Sequence, residues 1–503
     1  MKSSIIKFVS ENAELKSKQR GLPSVGKNPI LNSFSTEIEQ INEAFKIYGN
    51  EIYKLDKIID ENLPKNSLGG GSPADFKPFP LCISYMKKSF KDFKYSEYPL
   101  ASGEELYKKH VVGYLKKEKF IAKDYLNNIS EDNVIFTTST TQAFNYIIET
   151  ICKPHDVIIM TAPNYGLFSF VPERHSVTVK LLELEEKDGY LPSPEKLDSL
   201  IININRELKE QYKDLQYQPQ VVAFLNINPH NPLGTVLGEN ERDILYNIGR
   251  ICKNRGVFII DDLIYRDLNF KNEEKAKPMA SLNGMFDNTI TMFGLSKSYG
   301  LAGIRAGLVF ANDAIIRGIR NCIFQQMDSP PLLQASALAG AFNATKERER
   351  IYKKYFNKIN SLYLYRFNLL KALIEGIQSV ENKYHNKIRK DVKRYIKDKK
   401  KIDELLQGIP NVKFVKGISI KAGFFVLIDF TELKGKSYKK YTINSEIDLL
   451  KYLYQYGRMK FIIGQSIGWS KKEQIIGRFT YALDEEKLIT AMYYLNKLVK
   501  ELK

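Results

Sequence analysis

The chain has 503 residues and a formal net charge of +18, with 43% hydrophobic and 12% aromatic residues. That length exceeds one small core and the composition is ample for a buried interior, so a globular protein of two domains with a terminal extension is expected and a disordered chain is excluded. No apolar run approaches the roughly 18–20 residues of a membrane-spanning helix.

The start, Met1 to Val9, lacks a long apolar stretch and a small-residue cleavage site, so no signal peptide is expected. Cytoplasm is the default compartment. The four cysteines, Cys82, Cys152, Cys252 and Cys322, stand singly, and the five histidines show no ligand spacing. Buried thiols are expected, with no disulfide framework and no metal. Basic residues are interspersed with glutamates, as over Glu104 to Glu118. Without an RNA-binding signature, zinc-finger spacing or helix-turn-helix, they read as a solvated surface and predict neither a nucleic-acid nor a membrane partner.

In chain order, Thr36 to Leu63 carries apolar residues near a helical period, interrupted by Gly49-Asn50. Leu68-Gly69-Gly70-Gly71-Ser72-Pro73 follows as a loop whose glycines permit close backbone approach. An amphipathic helix is predicted over Glu104 to Leu115. Asn133 to Phe136 reads as a strand running into Thr137-Thr138-Ser139-Thr140-Thr141, where a helix begins. Hydroxyls at a helix N-terminus suit an anion cradle; a simple N-cap with solvated neighbours is the alternative. Val157 to Met160 is the next strand, closing on Pro163-Asn164-Tyr165, whose tyrosine either covers a flat ligand or packs.

Val221 to Leu225 leads into Asn228-Pro229-His230-Asn231-Pro232-Leu233-Gly234, a more tightly specified turn than a surface loop needs. Val257 to Ile260 ends in Asp261-Asp262-Leu263-Ile264-Tyr265, and acids at the end of an apolar strand are costly unless exposed or paired. Ile290 to Phe293 runs into Gly294-Leu295-Ser296-Lys297, with Arg305 eight residues past the lysine. An amine there can attack a carbonyl and the guanidinium can grip a phosphate; a solvated lysine in a glycine-rich loop is the other reading of this segment alone. Strands alternating with helices, each strand closing in a polar cluster, predict an α/β fold with a mostly parallel sheet whose ligands gather at the strands' carboxyl ends.

Beyond the lysine, residues 313 to 326 and 333 to 376 read as long helices, and Lys383 to Leu406 as an exposed, charged helical insertion. Val412 to Val415, Gly423 to Asp429, Phe461 to Ile463 and Arg478 to Leu483 read as strands of a smaller unit, with a helix over Ser445 to Tyr456.

The ordered set N-P-x-N-P-x-G, D-x-x-Y, S-K-(x)7-R and a late R-F-T-Y-A resembles the class I/II aminotransferases, fold type I pyridoxal 5′-phosphate (PLP) enzymes, over about residues 66 to 500. The resemblance implies a large PLP-binding domain over 67–330 with a seven-stranded, mostly parallel sheet. It also implies a small α+β C-terminal domain over 331–503, with the charged insertion near 380–406, after an N-terminal helical extension over 1–66. It implies transamination between an α-amino acid and a 2-oxo acid through an internal aldimine on Lys297, with that amine shuttling the α-proton. Asp262 would partner the pyridine nitrogen, with Asp261 pointing to the opposite face. Asn231 and Tyr265 would donate to the cofactor 3′-oxygen, and Tyr165 would stack on the ring. Ser139, Thr140, Thr141, Ser296 and Arg305 would form the phosphate cup. Tyr98 would reach the phosphate of a partner subunit, which implies a homodimer. Arg478 would bind the substrate carboxylate, with Asn231 and the backbone of Gly71 close by.

Gly294 stands where many members carry a serine donor, and Ile463-Gly464 where a P-G turn is common. Phe324-Gln325-Gln326 lacks the arginine some members use for acidic substrates. Other PLP chemistry at the α-carbon, such as that of a decarboxylase, lyase, oxidase or condensing enzyme, uses the same core residues. A PLP-responsive DNA-binding regulator is the remaining rival, against which residues 1–66 show no winged-helix pattern.

Overall fold

A computed structural model describes residues 54–73, 76–471 and 473–503, together with Ile41, Ala44 and Ile52. Most of the helix expected over Thr36 to Leu63, and of the extension over 1–66, lies outside these residues.

Seven strands build the principal sheet: β1 (Val134–Thr137), β2 (Val157–Ala162), β3 (Thr178–Glu183), β4 (Val221–Ile227), β5 (Phe258–Asp262), β6 (Thr289–Gly294) and β7 (Gly307–Phe310). Their order is β1-β7-β6-β5-β4-β2-β3. Strand β7 is antiparallel to both its neighbours, while β6, β5, β4, β2 and β3 pair in parallel. Continuous Val/Ile-rich runs such as Val157 to Met160 form these strands because helices cover both faces, leaving no solvated side to demand alternation. The edge strand β3 buries only Val179 and Leu182, and this mixed, half-exposed run is one that the apolar pattern does not announce.

The flanking helices are α1 (Pro80–Asp92), α2 (Glu105–Lys117), α3 (Thr140–Ile151), α4 (Pro194–Gln211), α5 (Arg242–Asn254), α6 (Asp313–Met327) and α7 (Leu332–Ala341). The expected helix over 333 to 376 is in fact α7 and α8 (Lys346–Glu375), separated where Thr345 caps α8 by accepting from Arg348 N. The charged insertion forms α9 (Asn382–Tyr395) and α10 (Lys399–Leu406). It is less exposed than its composition suggests, because Ile388, Val392, Leu405 and Leu406 are buried against the body of the fold.

A second sheet, order β10-β11-β9-β8, joins β8 (Lys413–Phe414), β9 (Phe425–Asp429), β10 (Ile462–Ile463) and β11 (Ile476–Thr480), all antiparallel. Helices α11 (Glu446–Gly457) and α12 (Glu485–Glu501) complete the C-terminal domain. Backbone contacts attach residues 66–68, ahead of the principal sheet, to this domain. Asn66 and Ser67 pair in parallel with Met459 and Lys460, and Leu68 bonds Lys460 and Thr480 through its N–H and carbonyl. They hold the Gly69–Gly71 loop beside Arg478.

The four cysteines are free thiols, Cys82 and Cys252 buried and Cys152 and Cys322 half-buried. Among the described residues no helix is long and apolar enough to cross a membrane, and no His/Cys/Asp/Glu group is arranged to hold a metal.

Candidate active site

The carboxyl ends of β1, β2, β4, β5 and β6 meet at one edge of the principal sheet. Because β7 runs the opposite way, its amino end lies at that same edge, which is why Arg305, two residues before β7, arrives there too. The cavity they enclose measures about 200 Å³. Ser139, Thr140, Thr141, Tyr165 and Asn231 line it, with Asp262, Tyr265, Ser296, Lys297 and Arg305.

One wall is an anion cradle. Ser139 caps α3, its hydroxyl accepting from Gln142 N at 3.1 Å, and the free N–H groups and dipole of α3 face the cavity beside Thr140 and Thr141. Gly307 explains how β7 comes so close. A Cβ there would sit 2.6 Å from the Ser139 carbonyl carbon and 2.9 Å from Thr140 N. Arg305 takes φ of 60°, a left-handed conformation that costs a non-glycine residue about 1 kcal/mol or more, and its Nη1 donates to Ala302 O at 3.1 Å. Gly294 packs against Thr140, whose Cγ2 would be 3.2 Å from an added Cβ, so the missing serine follows from a crowded strand.

The two acids ending β5 point to opposite faces, as strand alternation requires. Asp261 turns away and is satisfied by Asn226 Nδ2 at 2.8 Å and Met279 N at 2.9 Å. Asp262 faces the cavity, and Oδ1 accepts from Ile264 N at 3.1 Å. Its second oxygen has no partner among the described residues. Burial, then the charge of Asp261, pushes Asp262 up to about 7, although Ile264 N–H and Lys297 pull the other way. A carboxylate in this position is stabilised by a cationic N–H placed opposite it.

Lys297 follows β6 and donates from Nζ to the carbonyl of Gly71 at 2.7 Å. Burial is the first cause that brings its amine down to about 8, and the charges of Arg478 and Arg305 add to it, against the pull of Asp262. An amine so placed is partly unprotonated near neutrality, as a nucleophile and proton carrier must be. Asn231 Nδ2 lies 3.5 Å from the hydroxyl of Tyr265, whose own ionisation burial suppresses.

The Asn-Pro turn that carries Asn231 is anchored at both ends. Asn228 bonds Leu237 N and O, while the carbonyl of Gly234 accepts from Lys421 N and Ala422 N. Gly234 has φ of 67°, and a Cβ on it would lie 2.7 Å from Ala422 O, so the motif's last glycine is where the two sheets' loops touch.

Arg478, on β11 of the second sheet, is 6% exposed. Its Nη1 donates to Asn231 Oδ1 at 3.3 Å and its Nη2 to Gly69 O at 3.1 Å, and its guanidinium lies 4.1 Å over the ring of Phe425. Gly71 enters the site by its carbonyl on Lys297, so the glycine that touches Arg478 is Gly69. Tyr98 stands apart, 88% exposed and absent from this cavity's lining.

With these positions established, the family model for aminotransferase class I and II matches residues 68–492. The chain belongs to that family. Its cofactor is pyridoxal 5′-phosphate. Cystathionine beta-lyase PatB of Bacillus subtilis is 26% identical over 190 residues, 38% of this chain and 44% of that protein. An aspartate aminotransferase of Musicola paradisiaca is 25% identical over 266 residues, 53% of this chain and 60% of that protein. The chain thus spans about half the length of these two relatives. The fold is that of the aspartate aminotransferase from Rhizobium meliloti, with a TM-score of 0.70 at 17% identity, over 93% of this chain and 99% of that one. The cavity suits PLP, offering an N-terminal helix cradle with a cation for a phosphate, a carboxylate oxygen open to the interior, and an amine for the aldehyde.

Sequence reasoning did not single out Phe425, which supports Arg478, or Phe168, Ile227, Ile264 and Ala302 in the lining. Apolar lining residues carry no chemical signature in a sequence. The Phe424-Phe425 pair after Gly423 was the one available sign of an aromatic shelf.

Proposed function

We propose that the chain is a cytoplasmic PLP-dependent aminotransferase, moving the amino group of an α-amino acid to a 2-oxo acid. One observation supports this most: Arg478 from the second sheet and Lys297 from the first bond carbonyls of the same Gly69–Gly71 loop, and Arg478 also bonds Asn231, which lines the cavity beside Lys297. A carboxylate anchor and a depressed-pKa amine thus act on one small substrate.

Ser139, Thr140, Thr141, Ser296 and Arg305 would hold the cofactor phosphate, Tyr165 would cover its ring, Asn231 and Tyr265 would donate to its 3′-oxygen, and Asp262 would sit against its ring nitrogen. When bound, PLP supplies an aldehyde for amine exchange and an electron sink for the carbanion left at the α-carbon. Asp262 would favour a protonated, electron-poor ring by placing its negative charge against the ring nitrogen. Arg478 fixes the substrate carboxylate by two parallel N–H bonds, with Phe425 holding the guanidinium plane. Lys297 would take the proton from the substrate α-carbon, a task suited to an amine of pKa about 8.

A second copy of the chain completes this reading. Tyr98, Leu100, Tyr95, Phe90, Leu106 and Phe324 are exposed large apolar side chains, which favour a homodimer in which Tyr98 of one subunit reaches the other's cofactor.

The test is a half-reaction screen. An amino acid alone converts the bound cofactor to its amine form, read by absorbance, and a 2-oxo acid restores it. Similarity to a β-lyase favours the second reading, elimination at the same core. Ammonia and a 2-oxo acid formed without that reversible conversion would establish elimination in place of transamination.

A further inference from the structure

A second cavity, of about 130 Å³, lies away from the catalytic one, where the first turns of α2 and α6 approach β1. Ser102, Lys108, Asp132, Asp313, Arg317 and Arg320 supply its polar lining. Its walls are tied together, since Asn133 Nδ2 donates to Ala311 O at 3.0 Å and Ala311 N to Asn133 O at 3.1 Å. The site is therefore a gap between fixed elements rather than the space under a loop.

Lys108 is 5% exposed, yet among the described residues its ammonium makes no hydrogen bond or ion pair. Arg320 has no such partner either. Of the carboxylates in the lining, Asp132 likewise has no direct partner among the described residues, while Asp313 is paired. Arg317 Nη1 donates to Asp313 at 2.5 Å, and nearby Glu105 pairs with Lys109 at 3.0 Å. Asp132 and Glu131 attract Lys108 from a distance, Arg320 repels it, and burial outweighs them all, holding the ammonium below the ordinary lysine range. An ammonium enclosed to this extent with no direct partner carries a desolvation cost that a bound anion would offset.

We propose that this cavity is a second anion site, taking one small oxyanion, a carboxylate or a phosphate group, against Lys108 and Arg320. The hydroxyl of Ser102 is a further donor. The N-terminal ends of α2 and α6 add their partial positive charge to the same side. The cavity has room for about four waters or one such group, and not for a nucleotide.

The full chain loaded with PLP, so that the phosphate cradle is filled, is titrated calorimetrically at constant ionic strength. Inorganic phosphate is used in one arm and acetate in the other. One saturable site per chain is expected in at least one arm: phosphate alone assigns a phosphate group, acetate alone a carboxylate, and both the shared chemistry. Lys108→Met should abolish the binding and Arg320→Gln weaken it tenfold or more, with the cofactor absorbance of each variant unchanged. In anion-free buffer Lys108→Met should melt no lower than the parent, since it removes an enclosed ammonium that has no direct partner, and the anion should no longer raise its Tm. No saturable binding in either arm overturns the proposal, and so does binding that survives Lys108→Met. A Tm lowered equally with and without anion would make Lys108 a structural residue and also overturn it.

Discussion

Replacing Lys297 by methionine tests the electrostatics of the site without catalysis. In the PLP-free protein the folded amine titrates at about 8 against an ordinary 10.5, which corresponds to about 3 kcal/mol of penalty on the charged form. Methionine fills similar space without the charge. It also loses the bond to Gly71 O, which takes back about 1–2 kcal/mol. The variant should therefore be more stable than the parent by about 1–2 kcal/mol at pH 7.

The pH dependence fixes the cause. Below about pH 8 the amine is charged in folded and unfolded chains alike, so the parent bears the whole penalty. Between about 8 and 10.5 only the unfolded chain holds the proton, so the parent's stability climbs with pH. Above that window the penalty is gone and the variant should be the less stable by its missing hydrogen bond. Urea denaturation of both PLP-free proteins at pH 7 and pH 10.5 reads this, titrations uncoupled to Lys297 cancelling in the difference, with Asp262 the neighbour whose ionisation also responds. A variant less stable at pH 7, or a difference indifferent to pH, would refute the reasoning.

Arg478→Lys keeps the charge but loses the planar fork, and should cut kcat/KM about a hundredfold or more, with cofactor binding unchanged. Equal kcat/KM in steady-state assays would remove Arg478 as the carboxylate anchor. Asp262→Asn should lower kcat at least a hundredfold while leaving a folded protein, checked by circular dichroism beside the assay. Gly307→Ala puts a Cβ 2.6 Å from backbone of the cradle, so PLP affinity should fall tenfold or more and stability drop by about 1–3 kcal/mol, read by cofactor titration and denaturant melts. Ser139→Ala removes the cap of α3 and one cradle hydroxyl, for a loss of about 1 kcal/mol and a weaker hold on the cofactor.

The strands that carry the site were legible because buried parallel strands are continuous apolar runs, and β1, β2, β4, β5 and β6 fall within a residue or two of the expected stretches. The two that escaped fail that pattern. Strand β3 is a half-exposed edge, and β7 is a four-residue segment directly behind the lysine loop. The acids ending β5 were sorted correctly by alternation, since only one of two adjacent side chains can face the cavity. The glycine loop was harder. Nothing in Gly69-Gly70-Gly71 says which carbonyl will meet Arg478 and which Lys297, because that depends on the pairing of Asn66 and Ser67 with Met459 and Lys460, nearly four hundred positions along.

By itself, the sequence determined the chemistry available: one lysine, one strand-end aspartate, a hydroxyl-rich helix start and two arginines, each with a local backbone reason to be where it is. Tertiary structure alone decided that these converge. Reversal of one strand brings Arg305 to the same edge as Lys297, and Gly234 lets the second sheet come near enough for Arg478 to bond Asn231. Burial and neighbouring charge are set by that convergence, so the depressed amine of Lys297 and the raised carboxyl of Asp262 are properties of the assembled fold and of no segment within it.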